Sequence, residues 1–402
     1  MLLALIINIH GIANATIMPG LPPGGLNQIL APLSFSFFFT TLTVFLLLRQ
    51  RIIFQNAIIL LLVALNIVVM VVTSSGFLPV FAGTNPIRFL RDVNYLLLVV
   101  CVMLWLTEGH RAGVISLRLA AKTLVLVAGV AMPVLGFILV APVDGRFIGF
   151  VHTPTMMANT ALFVFLIAVF SRCGAGYVAL CGAVTFLVIV MCGTRAAFAL
   201  FLLFGIVAFL ASFSSSRRLF LVAPIVLVGA AVAYWLFGEG LLVNVQTGAG
   251  MGARVVSAED IEGGSIASRL VWISVLWENL KESRFVGGFG AGEAERTIGL
   301  LPHFDVLRFW YDYSIVFIIV LVVILFGGLT RYWDSAKRSI SEWLYVSYML
   351  LLILILSTHN IFQDTATSIL MATTLVACGR YLQSMKHRPV LFRPADIALA
   401  RA

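Results

Sequence analysis

Two kinds of side chain in this sequence could do chemistry on a charged, hydroxyl-bearing substrate. The first is histidine: His303 stands in the run Pro302-His303-Phe304-Asp305. An unperturbed imidazole titrates near pH ~6.5, so it is largely neutral at physiological pH and can take a proton from a hydroxyl. The second is arginine. Arg88, Arg91, Arg146, Arg195, Arg269 and Arg308 stand near the ends of apolar runs rather than at loop tips. A planar guanidinium binds phosphate through paired hydrogen bonds, so several converging on one cavity would form a site for a pyrophosphate or an anionic headgroup. Each residue also has a plainer reading. A loop histidine is commonly a surface residue, and an interfacial arginine reaches out to lipid phosphate. Asp305, Arg308 and Asp312 are spaced three and four apart, so on one helical face the arginine can pair with a carboxylate on either side. That stripe serves either to neutralise Arg308 or to present it to a substrate. His359, beside Asn360 and near Asp364, is a second candidate for proton transfer, with a locally hydrogen-bonded interfacial histidine as the simpler account.

The elements that must position these groups are membrane spans. Of the 402 residues, 61% are hydrophobic, and the apolar runs repeatedly approach the roughly 20 residues that a spanning helix needs. The pattern predicts an all-α polytopic membrane protein with about twelve transmembrane helices. The clearer ones centre on Phe37, Val68, Val99, Val127, Phe165, Val184, Leu202, Val226, Ile318, Leu351 and Thr373. A weaker first span covers residues 2–18. Ala13-Asn14-Ala15 has the small residues of a cleavage site, but no basic residue precedes the run, so a retained helix is expected. The expected order is nine spans in 1–238, an outer loop in 239–305, three spans in 306–385 and a basic cytoplasmic tail in 386–402.

Orientation follows from the basic residues, which collect on cytoplasmic loops. With the N-terminus inside, the inner side receives 16 of the 26 Lys and Arg residues and only 4 of the 17 Asp and Glu residues. Both termini are therefore expected in the cytoplasm, and the long loop outside an inner membrane, in the periplasm. The net charge of +9 is then explained by short inner loops facing anionic lipid, with no call for nucleic acid. Of the five cysteines, none falls in the exported loop, so no disulfide framework is implied. No metal or cofactor is expected, because zinc-ligand spacing, a Walker glycine loop and a nucleophile elbow are all missing. Glu259, Asp260 and Glu262 could hold a divalent cation or form a solvated acidic patch. No internal repeat is visible, which weighs against a secondary transporter.

Within the outer loop, 243–264 is rich in Gly, Ala and Ser and predicts irregular chain. The stretch 266–280 predicts an amphipathic helix, with Ile266, Leu270, Ile273, Trp277 and Leu280 on one face and Ser274, Glu278 and Lys281 turned away. Gly287, Gly288, Gly290 and Gly292 predict a flexible turn. The charged stripe is expected to open the next span.

Taken in order, Gly145-Arg146-Phe147-Ile148-Gly149-Phe150, Gly193-Thr194-Arg195-Ala196-Ala197, Ser268-Arg269, Val286-Gly287-Gly288-Phe289-Gly290 and Pro302-His303-Phe304-Asp305-Val306-Leu307-Arg308 leading into Tyr311-Asp312-Tyr313 resemble the O-antigen ligase and polymerase superfamily of bacterial membrane glycosyltransferases. The chain carries Phe304 and Thr155 where that family often has asparagine. The resemblance implies a GT-C-like fold and a metal-independent, inverting transfer. A glycan on undecaprenyl pyrophosphate would enter from the outer leaflet, Arg195 and Arg269 would hold its pyrophosphate, and His303 would deprotonate an acceptor hydroxyl. The acceptor is a second lipid-linked repeat unit in a polymerase and a lipid A core sugar in a ligase; Pro-His-x-Asp followed by Leu-Arg leans toward polymerase. A non-enzymatic flippase of lipid-linked glycans would also want outward arginines, but it would not need His303.

Overall fold

The computed structural model describes residues 44, 57–74, 86–111, 116–139, 147–149, 154–212, 265–298, 304–330, 340–356 and 365–386. Among them there is no strand. The helices are α1 (Ala57–Ser74), α2 (Pro86–Arg111), α3 (Leu117–Leu139, π-helical over Val125–Ala131), α4 (Pro154–Phe170), α5 (Ala175–Cys192), α6 (Arg195–Ser212), α7 (Ser265–Glu282), α8 (Glu293–Ile298), α9 (Asp305–Tyr313), α10 (Ile315–Thr330), α11 (Ile340–Leu356) and α12 (Thr365–Lys386). Three helices, in α2, α3 and α5, are long and apolar enough to cross a membrane, and α1, α4, α6, α10 and α11 contain shorter apolar ones. The protein is all-helical in its described residues, with the apolar helices of a membrane protein. Of the expected span centres, Phe37 and Val226 lie outside the described residues, as does 2–18, and each of the others falls in a helix.

The core lies around α4 and α12. α4 packs on α12, α5 and α3, while α12 also packs on α2 and α10. α4 carries no charged residue and is buried on nearly every side from Met157 to Phe170. A helix that is apolar all round belongs at the centre of a bundle. Between apolar helices, small residues set the closeness of packing. A methyl group on Gly129 would lie 2.9 Å from Val164 Cγ1, and one on Gly182 would lie 3.1 Å from Phe165, so α3 and α5 press directly onto α4. Phe170, Phe204, Tyr345 and Tyr381 then tie α4, α6, α11 and α12 together through ring contacts of 5.4 to 6.4 Å.

Contacts at the helix ends define two poles. The C-terminal ends of α2, α4 and α12 line one cavity together with the start of α3, so α2, α4 and α12 run the same way. The tight turn at 171–174 sends α5 back, and Gly136, late in α3, reaches the backbone of Gly149 at the other pole. Asp92 and His110 lie 18 residues apart on α2, about 27 Å at 1.5 Å per residue, close to a hydrocarbon thickness of about 30 Å.

The outer-loop helices differ from expectation in three ways. α7 buries Leu276 and Leu280, with Trp272, Ile273 and Asn279 partly covered, whereas Trp277 is 39% exposed. The packed face is thus rotated from the expected one, because Tyr311 and Ala294 fill the space beside Leu276 and Leu280. Ser274, Glu278 and Lys281 do face outward. Second, the charged stripe does not open a span. α9 is a separate helix, broken from α10 at Ser314, whose φ is +100°. Third, the glycine turn is pinned. The N–H groups of Gly288 and Phe289 both donate to the Tyr311 carbonyl at 2.9 Å, and that of Gly290 donates to the Asp312 carbonyl at 2.9 Å. Gly287 takes φ +70° and abuts the Trp310 carbonyl. No side chain fits that space, which is why glycine is needed there.

Candidate functional site

At the pole opposite the cavity, two of the arginine-bearing segments meet. The Phe147 N–H donates to the Met191 carbonyl at 3.1 Å, and the Cys192 thiol donates to the Phe147 carbonyl at 3.1 Å. Met191 and Cys192 end α5, Gly193 turns the chain in the left-handed conformation (φ +62°), and Arg195 begins α6. The backbone next to Arg146 therefore runs alongside the turn that presents Arg195. Arg146 itself, His303 and His359 lie outside the described residues. Arg195 and Arg269 are placed by their backbones, in the first turn of α6 and about two turns before Leu276 in α7, and their side chains are not described.

Arg88, Arg91 and Arg308 reach the same pole. Arg308 is 1% exposed and grips Asp92 of α2, with Nη1 donating to Oδ2 at 2.7 Å and Nη2 to Oδ1 at 3.3 Å. Its expected partners, Asp305 and Asp312, stand farther off at 3.7 and 3.8 Å. The Tyr313 hydroxyl also donates to Asp92, and Arg91 Nε lies 3.6 Å from the same carboxylate. Asp92 was not among the residues the sequence singled out. The available signal was a lone carboxylate entering an apolar helix, which by itself marks a paired or functional position.

Inside this cluster two guanidinium groups face three carboxylates. Burial pushes the Asp312 carboxyl up to about 7, against the pull of Arg308 and of the Ala294 and Gly292 N–H groups. Burial alone would lower the Arg308 pKa, but Asp92, Asp305 and Asp312 raise it, and the balance is upward. Asp312 also caps α8, accepting from Ala294 N–H at 2.9 Å and Gly292 N–H at 3.2 Å. α9 is thereby locked to α2 on one side and to α8 on the other.

The arginines differ in what they have left to offer a ligand. Arg308 is enclosed in its ion cluster. Arg88 pairs with Glu295 of α8 at 2.6 Å and ties the first turn of α2 to the segment 265–298. Among the described residues, Arg91 Nε and Nη2 have no hydrogen-bond partner, with Nε at ion-pair distance, 3.6 Å, from Asp92 and the side chain 13% exposed. An unsatisfied guanidinium at a bundle pole is suited to a phosphate oxygen. α9, which begins two residues after His303 in the sequence, is held against α2 through Arg308 and Tyr313, both bonded to Asp92. Neither protein-family models nor curated protein sequences give a match to this chain.

Proposed function

We propose that this protein is a bacterial inner-membrane glycosyltransferase of GT-C-like build, with about twelve spans and both termini in the cytoplasm. It moves a glycan from an undecaprenyl-pyrophosphate donor to a sugar hydroxyl on the periplasmic face. The acceptor is a second lipid-linked unit, making the protein a polymerase of O-antigen or exopolysaccharide repeats. The observation that supports this reading most is the meeting, at one pole, of the Arg146 and Arg195 segments, of Arg91 with donors to spare, and of the helix that follows His303. In the reaction the acceptor hydroxyl oxygen attacks the anomeric carbon and forms the new glycosidic bond. The bond from that carbon to the pyrophosphate oxygen breaks, and the electron pair leaves with the lipid pyrophosphate. The hydroxyl proton passes to His303. Because pyrophosphate is already a good leaving group, the protein has mainly to orient the reactants and stabilise negative charge, the work assigned to Arg195, Arg269 and Arg91.

The test is transfer by purified protein with a lipid-linked donor. Arg195→Ala or Arg269→Ala is expected to abolish transfer while the protein still inserts and accumulates. Lysine should rescue only in part, since it lacks the planar fork. Wild-type turnover in both alanine variants would reduce these arginines to lipid anchors. Supplying a lipid A core acceptor in place of the second repeat unit separates ligase from polymerase. Orientation is tested independently with an impermeant thiol reagent in cells whose outer membrane has been permeabilised. A cysteine at Ser257 should label and one at Ser335 should not, and the opposite pattern would invert the topology.

A further inference from the structure

The cavity at the other pole lies where α2, α3, α4 and α12 end or begin, and it has a volume of about 380 Å³, at the small end of the range for ligand pockets, roughly 300–1,000 Å³. His110, Arg118, Arg172, Arg380, Tyr381 and Ser384 are among its lining residues, and no carboxylate among the described residues is. Glu108 on α2 and Glu342 at the start of α11, described acidic residues of this pole, are buried outside the lining. Arg172 is the informative member. Its Nε and Nη2 are buried and have no hydrogen-bond partner among the described residues, and its guanidinium lies 5.1 Å from the centre of the Tyr381 ring. Its backbone has φ +52°, closing α4 with the Cys173 N–H bonded to the Ala168 carbonyl. Glycine normally fills such a left-handed position after a helix, since a side chain there is strained. Here the strained position carries an arginine whose donors project, unspent, among other cations. Strain retained around unsatisfied donors is a mark of a ligand site.

We propose that this cavity binds a phosphate ester, either the headgroup of an anionic phospholipid or a soluble phosphate, held by Arg172 with Arg118 and Arg380. On the proposed topology it faces the cytoplasm, where basic pockets between spans meet anionic headgroups. The inference does not depend on the glycan-transfer reading.

The experiment uses the full chain, delipidated in detergent, with native mass spectrometry to count bound phosphatidylglycerol against phosphatidylcholine. Glycerol 3-phosphate and inorganic phosphate are titrated in parallel. Arg172→Gly is the chosen variant, because glycine suits the backbone and should hold or raise the thermal midpoint. It is expected to weaken phosphatidylglycerol binding about tenfold or more. Lys122→Ala removes a nearby charge that sits over Tyr177 and is not in the lining, so it should leave binding within about twofold of wild type. Arg172-dependent binding of phosphatidylglycerol alone identifies a lipid site, and Arg172-dependent binding of the small phosphates identifies a soluble ligand. Equal binding by wild type and Arg172→Gly, an equal loss in Lys122→Ala, or no binding of any probe would overturn the proposal.

Discussion

Replacing His303 with alanine is expected to slow glycan transfer about 10²- to 10⁴-fold, the usual worth of general-base assistance, with donor binding retained. α9 begins two residues after His303 in the sequence and is fixed to α2 by the Arg308–Asp92 pair and to the glycine turn by three backbone hydrogen bonds. On the proposed function, its removal should act on kcat and not on folding. Wild-type activity should fall as pH drops and the imidazole takes up a proton before the acceptor hydroxyl can give one. That acid limb should vanish in His303→Ala, leaving a slow and flat profile. A variant with normal rate and an unchanged acid limb would sink the assignment and turn attention to His359. A flippase would tolerate the substitution altogether.

Arg308→Met should destabilise the protein by about 3–5 kcal/mol, because it strands buried carboxylates without their cation. The readouts are the thermal midpoint in detergent and the yield of folded protein, with donor KM measured on what survives. An unchanged midpoint with weakened donor binding would restore Arg308 as a substrate ligand. The same cluster should give stability a pH dependence. The folded-state pKa of Asp312, raised to about 7, exceeds its ordinary unfolded value of about 3.9. The folded state thus binds the proton more tightly. Its contribution is fully present below pH ~4 and is lost as pH rises through about 7. Asp312→Asn, which keeps an acceptor for the Ala294 N–H, should flatten that slope.

Much of the arrangement was legible because it rests on local pattern. Hydropathy located the helices around Val68, Val99, Val127 and Val184. Arg88, Arg91 and Arg308 gather at one pole and Arg118, Arg172 and Arg380 at the other. What escaped depends on partners far away in sequence. Spacing suggested Asp305 and Asp312 as companions of Arg308, but its short bonds go to Asp92, 216 residues distant. Periodicity put Trp277 on the buried face of α7, while Leu276 lies there instead, since only the position of Tyr311 decides which neighbouring apolar residue is covered. The cavity at the other pole was equally invisible, being assembled from residues that share no motif.

The close fit of Gly287 beneath the Trp310 carbonyl bears on how loss-of-function surveys of this protein should be interpreted. Any side chain at that position forces the turn away from α9, and an inactive Gly287→Ala strain would score in a growth screen just as a missing nucleophile or base would. A neutral residue at Asp92 would do the same by another route, by releasing Arg308. Gly287 and Asp92 are therefore scaffolding positions whose loss would mimic loss of a proposed catalytic group. Only surveys that record the amount of protein in the membrane alongside phenotype can sort one from the other.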